Sequence, residues 1–143
     1  MKKLKLLLIE DDALDVISVK RSLKELSSNV ELKVANDGME ALDLLTNVEK
    51  PFTPHVILLD LNMPRMNGIE FLKILRLNSV FNQINVFVMT TSANSADRQH
   101  AEQLGISGYI IKPLNYTDNT KRVDSMDSFV HFHLRKILTD EPE

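Results

Sequence analysis

The chain has 143 residues, of which 43% are hydrophobic and 26% are charged, and it contains no cysteine and no tryptophan. A chain of this length forms one domain that buries roughly 70% of the surface exposed in the unfolded state, so it needs neither disulfides nor a structural metal to hold a core. The absence of cysteine excludes thiolate zinc sites, iron-sulfur clusters and cysteine nucleophiles. The net charge of −3, from 17 basic and 20 acidic residues, gives no support for nucleic-acid binding.

The N-terminal segment is basic and then apolar, which is also the pattern of a signal peptide. The apolar run that ends at Ile9 is followed at once by three acidic residues. It is shorter than the roughly 7 to 15 residues that a signal peptide needs, and no segment approaches the roughly 18 apolar residues of a membrane span. We therefore predict a cytoplasmic protein with no membrane partner.

Short apolar runs alternate along the chain with segments of helical apolar spacing. In chain order the runs predict strands at 4–9, 30–35, 55–60, 84–89 and 109–111, and the spacing predicts helices over 16–26, 41–48, 68–77, 96–104 and a last one that ends near 138. Asp12 is well placed to cap the first helix. Regular alternation of this kind predicts an α/β fold in which a parallel sheet has helices on both faces.

Five such units predict a doubly wound sheet with strand order 2-1-3-4-5, the flavodoxin-like (βα)5 arrangement. In that order the ligand site lies where the first and third strands end. The units account for residues 3–138, so we predict a single domain over that range with no output domain.

Carboxylates follow both strands that border the predicted site. The first strand ends in Glu10-Asp11-Asp12 and the third ends in Asp60. Each acid alone is explained as a helix cap or as a solvated loop residue, but like charges gathered at one site are costly unless a cation neutralises them. Oxygen ligands without histidine or cysteine indicate a hard cation, and a partial carboxylate set favours Mg²⁺ over a full calcium cage.

The last two strands end in hydroxyl groups and in a lysine. Thr90 and Thr91 follow the fourth strand, and Lys112-Pro113 follows the fifth. The hydroxyls also suit helix capping, and most lysines are solvated surface residues. Pro113, however, favours an extended Lys112 at the same edge as the acids. Acids, a metal ion, a hydroxyl and a lysine together suit a phosphoryl group.

Four of these motifs occur together, in order, at the ends of four predicted strands. They are Glu10-Asp11, Asp60-Leu-Asn-Met-Pro-Arg-Met-Asn-Gly68, Thr90 and Lys112-Pro113. In this order and spacing they resemble the receiver domain of two-component response regulators. The resemblance runs from Leu4 to Ile111 and more loosely to Leu138, and it is strongest to stand-alone receivers that partner phytochrome-type histidine kinases.

The resemblance implies a role for each matching acid. Asp60 would accept a phosphoryl group from a phosphohistidine and form an acyl phosphate. Mg²⁺ would be held by Asp11, Asp60, Glu10 (directly or through water) and the main-chain carbonyl of Asn62. Asp12 lies outside the acid pair of the family, so we interpret it first as a helix cap and second as a ligand.

The resemblance also implies a conformational switch. Lys112 would pair with the phosphoryl oxygens, and the Thr90 hydroxyl would move to hydrogen-bond them. Tyr109 matches the aromatic position that turns inward when the threonine moves, although a tyrosine at a strand edge is also an ordinary core residue. Thr91 and the Asn62 side chain lie where they affect the access of water.

As implied, the protein is a phosphoacceptor rather than an enzyme with a separate substrate. Its donor would be a histidine kinase or a phosphotransfer protein, and its signal would pass by contact with an unidentified downstream protein. Two alternatives remain open: a phosphorylation-independent binding module on the same fold, and an aspartyl-phosphate phosphohydrolase. The second is disfavoured because those enzymes have another Asp two residues after the first, where this chain has Asn62. A flavin mononucleotide carrier is disfavoured because its first loop is rich in hydroxyls and glycine, not acidic.

The C-terminal part departs from the family pattern. Residues 114–122 are polar, and helical apolar spacing begins only at Val123, which predicts a loop longer than the usual stretch of about two to six residues. On the last helix Phe132 lies about 160° from the centre of the apolar stripe. This position suggests a contact surface, and we consider a homodimer through the last helix.

Overall fold

The computed structural model describes residues 3–26, 28–63, 66–91, 95–112, 114 and 125–140. The strands of the described part are β1 (Leu4–Ile9), β2 (Val30–Ala35), β3 (Val56–Asp60), β4 (Asn85–Thr90) and β5 (Gly108–Ile111). The helices are α1 (Ala13–Ser22), α2 (Gly38–Thr46), α3 (Gly68–Leu77), α4 (Ser95–Gln103), α5 (Met126–Ser128) and α6 (Arg135–Asp140), with a 3-10 turn at Lys24–Leu26 and a π-helical segment at Phe129–Leu134. None of the helices in these ranges is long and apolar enough to cross a membrane.

All five strands are parallel and lie in the order β2-β1-β3-β4-β5, which confirms the predicted doubly wound sheet. β1 and β3 are neighbours, with Leu8 opposite Leu58. The strand order therefore reverses between them, and the edge where they end is the expected ligand position.

Two apolar layers cover the two faces of the sheet, because side chains alternate along each strand. In β1, Leu6 and Leu8 face α1 and the C-terminal helical segments, where Phe129 and Leu134 are buried. Leu7 and Ile9 face the other way, toward α2 and α3. Every residue of β3 is buried, as expected for a central strand with helices on both sides.

Side-chain caps fix the starts of the helices that follow β1, β2 and β3. The Asp12 carboxylate accepts hydrogen bonds from the Leu14 and Asp15 N–H groups, and Asp37 caps α2 in a similar way. Asn67 and Glu70 form a reciprocal capping box at α3. The prediction of Asp12 as a helix cap is thus confirmed.

The structure differs from the sequence prediction mainly at the ends of helices. α1 stops at Ser22 and a 3-10 turn carries Leu26 into the core, where a continuous helix had been expected. The predicted long loop at 114–122 lies outside the described residues except for Leu114, which is buried. Phe132 is 70% exposed, in agreement with its position off the apolar stripe.

Candidate functional site

The site lies at the carboxyl edge of the sheet, where the main chain positions an acid at each central strand and a lysine at the last one. Glu10 follows β1 directly, and its N–H donates to the Ala35 carbonyl of β2 at 3.0 Å. Asp60 is the last residue of β3. The Lys112 N–H donates to the Thr90 carbonyl at 2.8 Å, so the lysine continues the line of β5 beside β4.

Three of the predicted ligands form one compact group. Each of Glu10, Asp11 and Asp60 offers a carboxylate oxygen, and these oxygens lie within 4.8 Å of one another. Glu10 and Asp60 are buried and Asp11 is exposed. The group therefore opens to solvent on the Asp11 side, where a hydrated ion or a small anion can enter.

Main-chain donors orient two of these carboxylates. The Asn62 N–H donates to Asp60 Oδ1 at 3.2 Å, and the Asp12 N–H donates to Glu10 Oε2 at 3.2 Å. Glu10 Oε1 is buried, and the Lys112 ammonium lies 2.9 Å from it. This ion pair offsets part of the cost of burying the carboxylate.

Lys112 is shared among three carboxylates. Its Nζ lies 2.8 Å from Asp15 Oδ2, 2.9 Å from Glu10 Oε1 and 3.5 Å from Asp60 Oδ1. The predicted pairing of this lysine with the acidic edge is present, but its shortest contact is with a residue that the sequence did not single out. Asp15 lies in the first turn of α1, where an acid is ordinarily explained by the helix dipole.

The crowding of acids shifts the ionisation of the site. Burial, together with the hydrogen bond to Asp60, raises the pKa of Glu10 to about 8, although the Lys112 ammonium opposes the shift. Burial also raises the pKa of Asp60, against the opposing effects of Glu10 and Lys112. For Lys112, burial alone lowers the pKa, but the contacts with Asp15 and Glu10 outweigh it and the pKa rises. Lys112 therefore stays charged at neutral pH, while burial disfavours the full ionisation of Glu10 and Asp60.

The donor set fits a hard divalent cation. The two buried carboxylates and the exposed one offer only oxygen ligands, and a set of three carboxylates leaves coordination positions for water and for a phosphoryl oxygen. This is the ligand chemistry of Mg²⁺ or Mn²⁺. Asp12 is not part of the group, because its side chain caps α1.

Thr90 lies beside Asp60 and Thr91 lies farther out. In the pairing of β3 with β4, Asp60 is opposite Met89. Thr90 follows Met89 and is the last residue of β4. Thr90 is buried and Thr91 is exposed. The fold thus brings the predicted hydroxyl to the same edge as Asp60 and Lys112.

Tyr109 is held against α4. Its hydroxyl donates to the Arg98 carbonyl at 2.6 Å, and the Arg98 guanidinium lies 4.3 Å from the centre of its ring. Burial raises the pKa of the phenol, and Glu102 adds to the shift. Tyr109 is therefore linked to the helix that follows Thr90, on the face of the sheet away from α1.

Gly68 allows a close approach of the main chain to Asp60, which the sequence motif alone does not explain. A Cβ atom at Gly68 would lie 2.6 Å from the Asp60 carbonyl oxygen and 2.7 Å from Leu61 Cα. These are backbone atoms that cannot rotate away. The first residue of α3 therefore has to be glycine for the chain to turn back so close to Asp60.

Comparison with known proteins agrees with this geometry. A family model described as the response regulator receiver domain matches residues 6–124. Response regulator Rcp1 of Synechocystis sp. is 35% identical over 127 residues, which cover 87% of this chain and 86% of Rcp1. The Mn²⁺-bound structure of Rcp1 has a TM-score of 0.76 at 30% identity and covers 90% of this chain and 92% of its own.

Two further solved structures are similar over nearly their full length. A two-component response regulator from Legionella pneumophila has a TM-score of 0.76 at 40% identity, with 97% of this chain and 100% of that chain covered. The phosphorylated cyanobacterial phytochrome response regulator RcpA has a TM-score of 0.74 at 26% identity, with 99% and 97% covered.

The fold and the site together define a signalling protein of the two-component class, built on a phosphoacceptor domain. The chain belongs to the response regulator receiver domain family, and its relatives include stand-alone receivers of the Rcp1 and CheY types.

Proposed function

We propose that this protein is a response regulator that accepts a phosphoryl group on Asp60 in a Mg²⁺-dependent reaction and signals by a change of conformation. The observation that carries the proposal is the position of the Asp60 carboxylate, buried between the Lys112 ammonium and the Glu10 and Asp11 carboxylates. No other pairing of a buried nucleophilic oxygen with a cation and a metal-binding group occurs among the described residues.

The reaction follows from the groups around Asp60. One carboxylate oxygen of Asp60 attacks the phosphorus of a phosphohistidine and forms a P–O bond, while the P–N bond breaks and the imidazole nitrogen of the donor takes up a proton. The Asn62 N–H donates to Oδ1 and leaves the other oxygen of Asp60 for attack. Lys112 balances the charge of the incoming phosphoryl oxygens.

A bound Mg²⁺ would supply the remaining positive charge at the phosphoryl oxygens. We assign its binding to Glu10, Asp11, Asp60 and the main-chain carbonyl of Asn62. The protein therefore catalyses only its own phosphorylation and dephosphorylation and is not an enzyme with a separate substrate.

The switch is assigned to Thr90, Lys112 and Tyr109. Thr91 has a secondary role beside it, and Asp12 is a helix cap first and a ligand second. Thr90 ends the strand beside Asp60, and Tyr109 contacts α4 through Arg98. A new hydrogen bond from Thr90 to the phosphoryl group changes the start of the segment that leads into α4. A phosphoryl group that makes about one to three charge-assisted hydrogen bonds biases such an equilibrium by a few kcal/mol.

We infer that the donor is a histidine kinase or a phosphotransfer protein in the cytoplasm, and the similarity to Rcp1 and RcpA favours a kinase of the phytochrome type. The output is contact with a downstream protein. The receiver unit is proposed to span residues 3–138.

A homodimer through the C-terminal helical segments is part of the proposal, because Phe132 is exposed on them. Sedimentation of the wild type and of Phe132→Ala tests this point. We expect weaker self-association in the variant, and a wild type that is a monomer at every concentration contradicts the dimer.

The function is tested with a small phosphodonor such as acetyl phosphate, with Mg²⁺ or with EDTA, followed by intact mass. We expect the mass of one phosphate to appear on the wild type only with Mg²⁺ and to be absent from Asp60→Asn. A wild type that takes up no phosphate with Mg²⁺ refutes the proposal and favours a phosphorylation-independent binding module.

A further inference from the structure

The ion pair between Asp15 and Lys112 connects α1 to the phosphorylation site. Its atoms are 2.8 Å apart, which is shorter than the contacts of the same lysine with Glu10 and Asp60. Asp15 is the only acid of α1, and its side chain is partly exposed where Glu10 and Asp60 are buried. The lysine is therefore held at the outer side of the site by a residue that is neither a phosphoacceptor nor a member of the metal-binding group.

Asp15 is held in place by the cap of its own helix. The Asp12 carboxylate accepts hydrogen bonds from the Leu14 N–H at 2.8 Å and from the Asp15 N–H at 3.3 Å. A main chain fixed in this way presents the Asp15 carboxylate to Lys112 at little further entropic cost. The main chain that carries the Asp15 carboxylate is thus fixed by the helix start.

The charges around Lys112 indicate how the contact with Asp15 would respond to phosphorylation. Lys112 is one cation among three carboxylates, and the Asp60 contact of 3.5 Å is the longest of the three. A phosphoryl group on Asp60 brings about 1.5 to 2 further negative charges and three strong acceptors. For Lys112 to bind these oxygens, it has to give up one of its present partners, and Asp15 is the most solvated of them.

We propose that Asp15 is a positioning residue that competes with the phosphoryl group for Lys112 and so restrains the phosphorylation of Asp60. The inference rests on the proposed function. It assigns to the first turn of α1 a part in setting how readily the site is phosphorylated, and it makes the release of Asp15 a consequence of phosphorylation.

The primary test compares the rates at which acetyl phosphate with Mg²⁺ phosphorylates the wild type, Asp15→Asn and Asp15→Glu, followed by intact mass. Because the pair is partly exposed, we expect Asp15→Asn to react about three- to fivefold faster. Asp15→Glu keeps a carboxylate and should return the rate toward that of the wild type. The exposed Asp43 of α2 provides the charge control, since Asp43→Asn removes one negative charge far from the lysine.

A second comparison separates a positioning role from a purely structural one. The same Asp15→Asn change is made in a Lys112→Met background, where the competition cannot occur. We expect the acceleration to disappear there, as a double-mutant cycle requires of residues that act through each other. Urea unfolding of each variant checks that the fold is kept.

The inference is overturned if Asp15→Asn reacts no faster than the wild type, or if it accelerates the reaction equally with and without Lys112. Those results leave the proposed function intact, because the wild type and Asp60→Asn still differ. A wild type that takes up no phosphate overturns both.

Discussion

The buried Glu10 carboxyl group predicts an unusual dependence of stability on pH. Burial and the contact with Asp60 raise its pKa from 4.5 to about 8 in the folded chain. Between these two values the folded chain keeps a proton that the unfolded chain has lost. In the absence of metal, Glu10 should therefore contribute to the free energy of unfolding. This contribution is greatest below the pKa of Glu10 in the unfolded chain, and it is lost as the pH rises toward the pKa of Glu10 in the folded chain.

The size of the effect follows from proton linkage. One proton of difference changes the free energy of unfolding by about 1.4 kcal/mol for each pH unit. From about pH 5 to pH 7 the contribution of Glu10 therefore falls by about 2 to 3 kcal/mol. Since Glu10 and Asp60 each affect the pKa of the other, this figure belongs to the pair.

The perturbation that isolates this contribution is Glu10→Gln. The glutamine amide keeps the shape of the protonated side chain and a donor toward Asp60, but it does not titrate. Urea unfolding of both proteins is followed by far-UV circular dichroism in EDTA at about pH 5, 6 and 7. Carboxylates away from this pair contribute alike to both proteins, so the difference between the two curves reports the linkage of the Glu10 and Asp60 pair.

We expect the wild type to lose stability relative to Glu10→Gln as the pH rises over this range. A difference that stays constant with pH, or one in which the wild type gains, refutes the reasoning, because the folded chain would then hold no extra proton. Repeating the series with Mg²⁺ should reduce or reverse the slope, since a cation and a proton compete for the same oxygens.

Three further predictions concern the main chain, at the site for Gly68 and Asp12 and at the opposite edge of the sheet for Arg76. Gly68→Ala should lower the free energy of unfolding by about 1 to 3 kcal/mol and slow phosphorylation, because its Cβ would collide with the Asp60 carbonyl; equal urea midpoints for variant and wild type would contradict the close approach. Asp12→Ala should cost about 1 kcal/mol in the same assay while Asp12→Asn costs little, and equal losses would mean that the cap is not the reason. Arg76→Ala should lower the free energy of unfolding by about 3 kcal/mol, since the guanidinium donates to four carbonyl groups at 2.8 to 3.1 Å. Arg76→Lys should recover only part of this loss, and full recovery would show that the charge alone is needed.

The sheet was predictable because its signals are local. Apolar runs such as Val56 to Leu59 are read directly from the chain, and five alternating units then favour the common doubly wound strand order. The rule that strand ends collect the ligands placed Glu10, Asp60 and Lys112 at one edge before any distance was known. The structure brings these three together.

Other features of the structure depend on contacts between residues far apart in the sequence, or on geometry that local sequence patterns do not indicate. Asp15 is not at a strand end, so the rule that ligands collect at strand ends does not include it. Only the structure shows that Asp15, in the first turn of α1, forms an ion pair with Lys112. Arg76 reaches carbonyl groups 28 and 29 positions away in the sequence. The π-helical segment at Phe129–Leu134 has the apolar spacing of an ordinary helix. Only the structure shows that the His133 ring stacks on Phe129 and meets Phe87 at a tilt of 54°.

The charges of the site explain why phosphorylation and metal binding should depend on each other. Three acids, Glu10, Asp15 and Asp60, lie around the single cation Lys112, and the Asp11 carboxylate lies beside those of Glu10 and Asp60. Without metal the fold relieves part of this excess by keeping a proton on the pair of Glu10 and Asp60, as the raised pKa of Glu10 indicates. A phosphoryl group adds about 1.5 to 2 negative charges to a site that is already too negative to ionise fully. We therefore expect phosphate uptake to depend on a divalent cation, which would displace that proton from the carboxylates, and on the release of Lys112 from Asp15.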